Sequence, residues 1–139
     1  MRRLLCLLAA AVCAAGPAWA LMGRQEYQAQ RTRIQDKYAT DKDRCSSLRD
    51  HPRRICEAQA WADYDTARTE LRARYKPSAR TAERARVSRA DAQYRVARTR
   101  CGDLRGGAHE LCLEEAKNRW KAQRSEAREH PQASTLGNR

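Results

Sequence analysis

The 139-residue chain contains no phenylalanine, and Phe, Trp and Tyr together make up only 6% of it. Such a chain cannot fill a thick aromatic core. Much of its apolar fraction is alanine, whose burial removes little surface from water. β-Branched residues are scarce and no segment alternates apolar and polar with period two, which argues against strands. The cysteines never stand as C-x-x-C, so the zinc-clasp and thioredoxin-type arrangements are missing. No nucleophile constellation stands out either. Ser46 and Ser47 lack a relay, and Glu114-Glu115 is an adjacent pair at a helix start, where acids suit the dipole. The pattern reads as non-enzymatic, with no cofactor and no metal site.

Long apolar runs are missing after the first twenty residues. Within residues 1–20, MRRLLCLLAAAVCAAGPAWA, Arg2 and Arg3 precede an apolar stretch from Leu4 to Ala15, and Ala18-Trp19-Ala20 follows. This is the layout of an export signal cleaved ahead of Leu21. The stretch falls short of the roughly 20 residues that cross a bilayer. Cys13 is no lipidation site by this reading, because Val12 stands where a small residue is needed. The expected location is the periplasm. Cleavage removes Cys6 and Cys13 and leaves Cys45, Cys56, Cys101 and Cys112. An even number of cysteines in a small exported protein reads first as disulfides.

What the chain does have is helical periodicity nearly throughout. Tyr27, Ile34, Tyr38, Cys45 and Leu48 share one stripe, and Trp61, Tyr64, Leu71 and Tyr75 share another. A third runs through Val87, Ala90, Tyr94, Ala97, Cys101 and Leu104, and a fourth through Cys112, Ala116, Trp120 and Ala127. Breakers separate them: Asp50-His51-Pro52, then Pro77-Ser78 with Ser78 as an N-cap, then Gly106-Gly107 as a stop. The expected fold is all-α, with four long helices forming two tandem helix-turn-helix hairpins. Residues 1–20 are the signal, 21–76 the first hairpin, 77–130 the second and 131–139 a disordered tail.

The two hairpins are copies. A shift of 56 residues superposes Tyr38 on Tyr94, Cys45 on Cys101, Leu48 on Leu104, Cys56 on Cys112, Ala60 on Ala116 and Arg68 on Arg124. Cys45 and Cys56 are nearly equidistant from the Asp50-His51 break, and Cys101 and Cys112 from Gly106-Gly107. In an antiparallel hairpin, residues equidistant from the turn face each other, so each pair is expected to close its own hairpin. The structural rival places both cysteines of a pair on one face of a continuous helix and bonds them between helices, as in twin-CX9C proteins. Pro52 and the glycine pair lie inside those supposed helices and argue against it. A chemical rival also stands: a metal-handling or thiol-redox factor using the cysteine pairs with His51 and His109, the histidines of the two turns.

Tyr, six residues, Cys, ten residues with a turn, Cys, then "EEAK" is a pattern similar to that of small exported proteobacterial proteins. These are repetitive, Ala-rich and often labelled cell-envelope biogenesis proteins. The resemblance covers Tyr27 to Trp120 and is most specific in "RARYKPSA" and "ADAQYRVARTRC". It implies an exported two-hairpin helical protein. The chain departs from that pattern in using Arg where Lys is favoured, and Asp50-His51-Pro52 where the first turn would carry a glycine.

Charge is unevenly spread. There are 29 Lys and Arg against 17 Asp and Glu, a net of +12. Between residues 72 and 89, Arg72, Arg74, Lys76, Arg80, Arg84, Arg86 and Arg89 face Glu83 alone. They would form a basic collar around the inter-hairpin joint. An exported protein seldom meets nucleic acid, so the expected partners are anionic lipids, lipopolysaccharide phosphates or acidic glycans. The expected function is that of a periplasmic structural or interaction protein held electrostatically to the anionic envelope.

Overall fold

The computed structural model describes residues 22–129; the signal expected at 1–20 and the tail expected at 131–139 lie outside the described residues. Four helices follow in order: α1 Arg24–Ser46, α2 Asp50–Tyr75, α3 Ala79–Cys101 and α4 Gly106–Glu129. No strand occurs among the described residues. The helices make two antiparallel hairpins in tandem, and a disulfide closes each across its turn. Cys45 bonds Cys56 and Cys101 bonds Cys112, with Cα atoms 5.5 and 5.8 Å apart. Residues 47–49 and 102–105 break the helix between the partners, so the continuous-helix rival fails.

Local chemistry sets the helix ends. Ser78 accepts from the backbone N–H of Thr81 at 3.1 Å, and the Thr81 hydroxyl accepts from the Ser78 N–H at 3.0 Å. This reciprocal box starts α3 and satisfies two otherwise orphaned donors. Pro52 sits in the first turn of α2, where its missing N–H is harmless. The glycine pair acts differently from the stop that the sequence suggests. Helix α3 already ends at Cys101, and Gly106 and Gly107 are the first residues of α4. Gly106 has φ 57° and its repeat equivalent, Asp50, has φ 53°. Both turns therefore use one left-handed residue to launch the return helix, and Asp is among the few side chains that tolerate this conformation.

The adjacent glycines consequently carry opposite predictions. Neither has an atom within 4 Å of where a Cβ would stand, so only backbone terms decide. Gly106→Ala should cost about 1 kcal/mol, because alanine resists positive φ. Gly107→Ala should add about 0.5 kcal/mol by restricting the unfolded chain. Urea unfolding of the two variants checks the sign of each.

Extensive helix contacts run α1 to α2, α2 to α3 and α3 to α4. The array is therefore open: α2 and α3 form its middle, and α1 and α4 flank them. Alanines let the middle pair approach closely, with Ala62, Ala92 and Val96 buried between them and Ala58 and Trp61 packed alongside. The Ser88 hydroxyl donates to Asp65 across this interface at 2.6 Å, and Arg89 pairs with Glu70. The hairpin seams instead hold stacked rings: Tyr27 on Tyr75, Tyr38 on Tyr64, and Tyr94 on Trp120. The last two are repeat equivalents. The largest fully buried side chains are Leu71, Cys45 and Cys101, so cystine supplies volume that a Phe-free chain lacks.

Several stripes divide where the sequence reading keeps them whole. Tyr64 stacks on α1, whereas Trp61 turns to α3 and lies under Arg95 at 3.7 Å. Val96, outside the expected stripe of α3, is buried, and Val87 is only half-buried. The cause is the open array: a middle helix has two neighbours and needs two apolar faces. Leu48 and Leu104, placed on stripes by the sequence, are exposed in the turns.

Candidate functional site

The structure separates the seven collar residues. Arg72 and Arg74 lie in the last turn of α2, Lys76 caps it, and Arg80 and Arg84 lie in the first turns of α3. All five are exposed. Arg74 reaches Gln30 of α1 at 3.4 Å, and Lys76 lies 5.9 Å over the Tyr75 ring. Among the described residues none of the five is paired with a carboxylate. Arg86 points the other way: its Nε and Nη2 donate to the Ala127 carbonyl at 3.1 and 2.8 Å. That carbonyl belongs to the last turn of α4, whose acceptors have no partner within the helix. Arg89 is turned to Glu70. Counting charge along the chain cannot see this division. Helical angle can, since Arg86 lies about 200° round the helix from Arg84.

The thiol and metal reading calls for free thiolates beside the histidines. Both cysteine pairs are instead joined, and Cys45 and Cys101 are fully buried. His109 faces Glu110 at 3.4 Å. His51, expected as an exposed turn residue, is only 6% exposed. Because α2 begins at Asp50, His51 falls in its first turn and meets the α3–α4 turn of the other hairpin. Its Nδ1 lies 3.1 Å from the Asp103 carboxylate, and Arg54 Nη2 lies 3.3 Å from the same nitrogen. The ring rests on Gly102, where a Cβ would come within 3.0 Å of Cε1. This residue locks the two disulfide turns side by side. Among the described residues, no group of three or more His, Cys, Asp or Glu is placed to hold a metal ion.

The main groove of the described residues has little forewarning in the sequence. A groove of about 750 Å³ opens between α1 and α4 over the middle pair, lined by all four helices. A second concavity continues it toward the first disulfide, sharing Lys37, Asp41, Gln59, Ala60, Asp63 and Arg100. The floor is largely alanine, including Ala60, Ala92, Ala97 and Ala116. Tyr38, Tyr64, Tyr94 and Trp120 line it as the two stacked pairs. The Trp120 indole N–H donates to Asp91 at 2.6 Å, fixing that ring. Asp41 takes Lys37 and Arg44. The Lys37 hydrogen bond chiefly holds its carboxyl below the ordinary carboxylate range.

Two disulfides belong to a protein that folds in an oxidising compartment. Among the described residues no helix is long and apolar enough to cross a membrane. Searches of family models, curated proteins and solved structures found no match to the chain.

Proposed function

We propose that this is a non-enzymatic interaction protein of the periplasm, held to the anionic cell envelope by the exposed part of its basic collar. The observation that carries the reading is the cluster Arg72, Arg74, Lys76, Arg80 and Arg84. All five are solvent-exposed around one joint, and none is neutralised by a carboxylate among the described residues. Guanidinium groups suit phosphate through paired hydrogen bonds. Lipid headgroups and lipopolysaccharide phosphates are the polyanions available to an exported protein. The hairpin seams turn their aromatic rings inward onto one another, which leaves surface adsorption rather than insertion.

The test is retention on vesicles containing phosphatidylglycerol across a salt series. Wild-type protein should bind at low ionic strength and release near 0.15 M, where the Debye length is about 8 Å. Arg72→Gln/Arg80→Gln/Arg84→Gln should fail to bind at any salt, with helix content unchanged because glutamine is a comparable helix former. Arg86 is left alone, since it holds the end of α4. Equal retention of the variant at every salt would overturn the proposal.

A further inference from the structure

We propose that the groove between α1 and α4 receives an amphipathic helix of a partner protein that carries carboxylates along its flanks. This is independent of the collar. The first support is the unmatched charge of the groove. Lys37 is neutralised by Asp41, and Arg89 by Glu70. Asp63 accepts from the Gln59 amide at 2.8 Å. The side chains of Arg100 and Arg119 make no hydrogen bond, ion pair or ring contact among the described residues. The repeat explains why. Arg44, the equivalent of Arg100, pairs with Asp41, but the equivalent of Asp41 is Ala97. The equivalent of Asp63 is Arg119 itself. The second hairpin thus lacks both acids of the first at these positions. Asp63 keeps its charge, since its partner is a neutral amide, yet Lys37, Arg89, Arg100 and Arg119 still outnumber Asp41, Asp63 and Glu70 in the groove lining, and two of these guanidinium groups have no ion pair.

The second support concerns what the rings can do. Each is stacked on its partner, and each also has a cation over it. Lys42 lies 5.7 Å over Tyr38 and Arg68 5.9 Å over Tyr64. Arg98 lies 5.5 Å over Tyr94 and Arg124 5.1 Å over Trp120. Rings engaged in this way are poor platforms for a sugar or a base, which selects against glycans and nucleotides. An alanine floor, in contrast, leaves room for large aliphatic side chains supplied from outside. With no sheet edge to extend among the described residues, helix-in-groove is the recognition mode that fits. The lining of the joined concavities runs along α2 from His51 to Glu70, which matches a helix of about 20 residues, or about 30 Å.

The segments flanking the described residues do not fit as the occupant. Residues 1–21 and 130–139 contain no Asp or Glu, so neither flanking segment offers side-chain carboxylates to Arg100 and Arg119. A second copy brings a net charge of +12 against the same sign. An acidic partner remains.

The probe is a fluorescently labelled peptide of about 20 residues, with leucines on one helical face and glutamates flanking it. Its anisotropy is followed on titration with the full chain. Binding is expected in the micromolar range, lost when the same residues are scrambled out of helical register. Arg100→Gln/Arg119→Gln should weaken it about tenfold or more, consistent with two charge-assisted contacts. Ala97→Leu, which fills the floor and keeps both arginines, should weaken it comparably, so a folding defect in the arginine variant cannot hide the answer. The collar variant should bind as wild type does. No binding by the acidic peptide, equal binding of the scrambled one, or loss in the collar variant alone would overturn the proposal.

Discussion

Replacing all four cysteines, as Cys45→Ala/Cys56→Ala with Cys101→Ala/Cys112→Ala, is expected to leave the chain largely unfolded at about 37 °C. Each bond closes a loop with a sequence separation of 11. Chain-entropy reasoning gives such a loop about 3 kcal/mol. Two such losses, about 6 kcal/mol together, match the lower end of the roughly 5–15 kcal/mol that separates folded from unfolded domains, which is where a chain with so thin a core belongs. Burial sharpens the effect, because Cys45 and Cys101 are also core side chains and alanine leaves their volume empty. Circular dichroism on heating, with and without a reductant, measures it. Either pair removed alone should lower the transition yet leave a folded protein. A four-alanine variant melting with wild type would mean that the helices hold together without their staples.

Leu71→Ala is expected to cost about 3 kcal/mol, the largest effect of any single aliphatic truncation among the described residues. Leu71 is 0% exposed, and most of the other buried apolar side chains are alanines. A core with so few large side chains has little with which to refill the space, which keeps the cost within the leucine-to-alanine range rather than below it. Truncating Leu111 provides the control. It is 58% exposed, and Leu111→Ala should change stability by about 0.5 kcal/mol or less. Chemical denaturation of the two variants side by side tests the contrast, and similar midpoints would show that Leu71 does not anchor the core.

Local signals made the helices and the staples legible. Pro52 and Ser78 act within one turn of themselves, and each cysteine pair is placed symmetrically about a break that only a turn can accommodate. The sites depend on angles and on neighbours that are far apart in the chain. Arg86 and Arg84 are two residues apart but face different surroundings, one the end of α4 and the other solvent. His51 is buried because the turn of the other hairpin presents a glycine beneath it, a relation between residues 51 and 102 that no local pattern carries. The groove exists because α1 and α4 stand on either side of the middle pair, and linear periodicity has no term for that.

The face by which one hairpin meets the next is not repeated on the outer sides of α1 and α4. At the α2–α3 junction, Ala58, Trp61 and Ala62 meet Ala92 and Val96. On the outer side of α4 the equivalents of the first three are Glu114, Lys117 and Asn118, all exposed. On the outer side of α1 the equivalents of the last two are Asp36 and Thr40, also exposed. A third hairpin, or a second molecule stacking in the same way, would have to bury charge where the first junction buries alanine and tryptophan. Tandem helical arrays require polar outer faces to stay soluble, and the outer faces of α1 and α4 are polar at these positions. The α2–α3 mode of contact therefore stays confined to the one junction where alanine and tryptophan supply it.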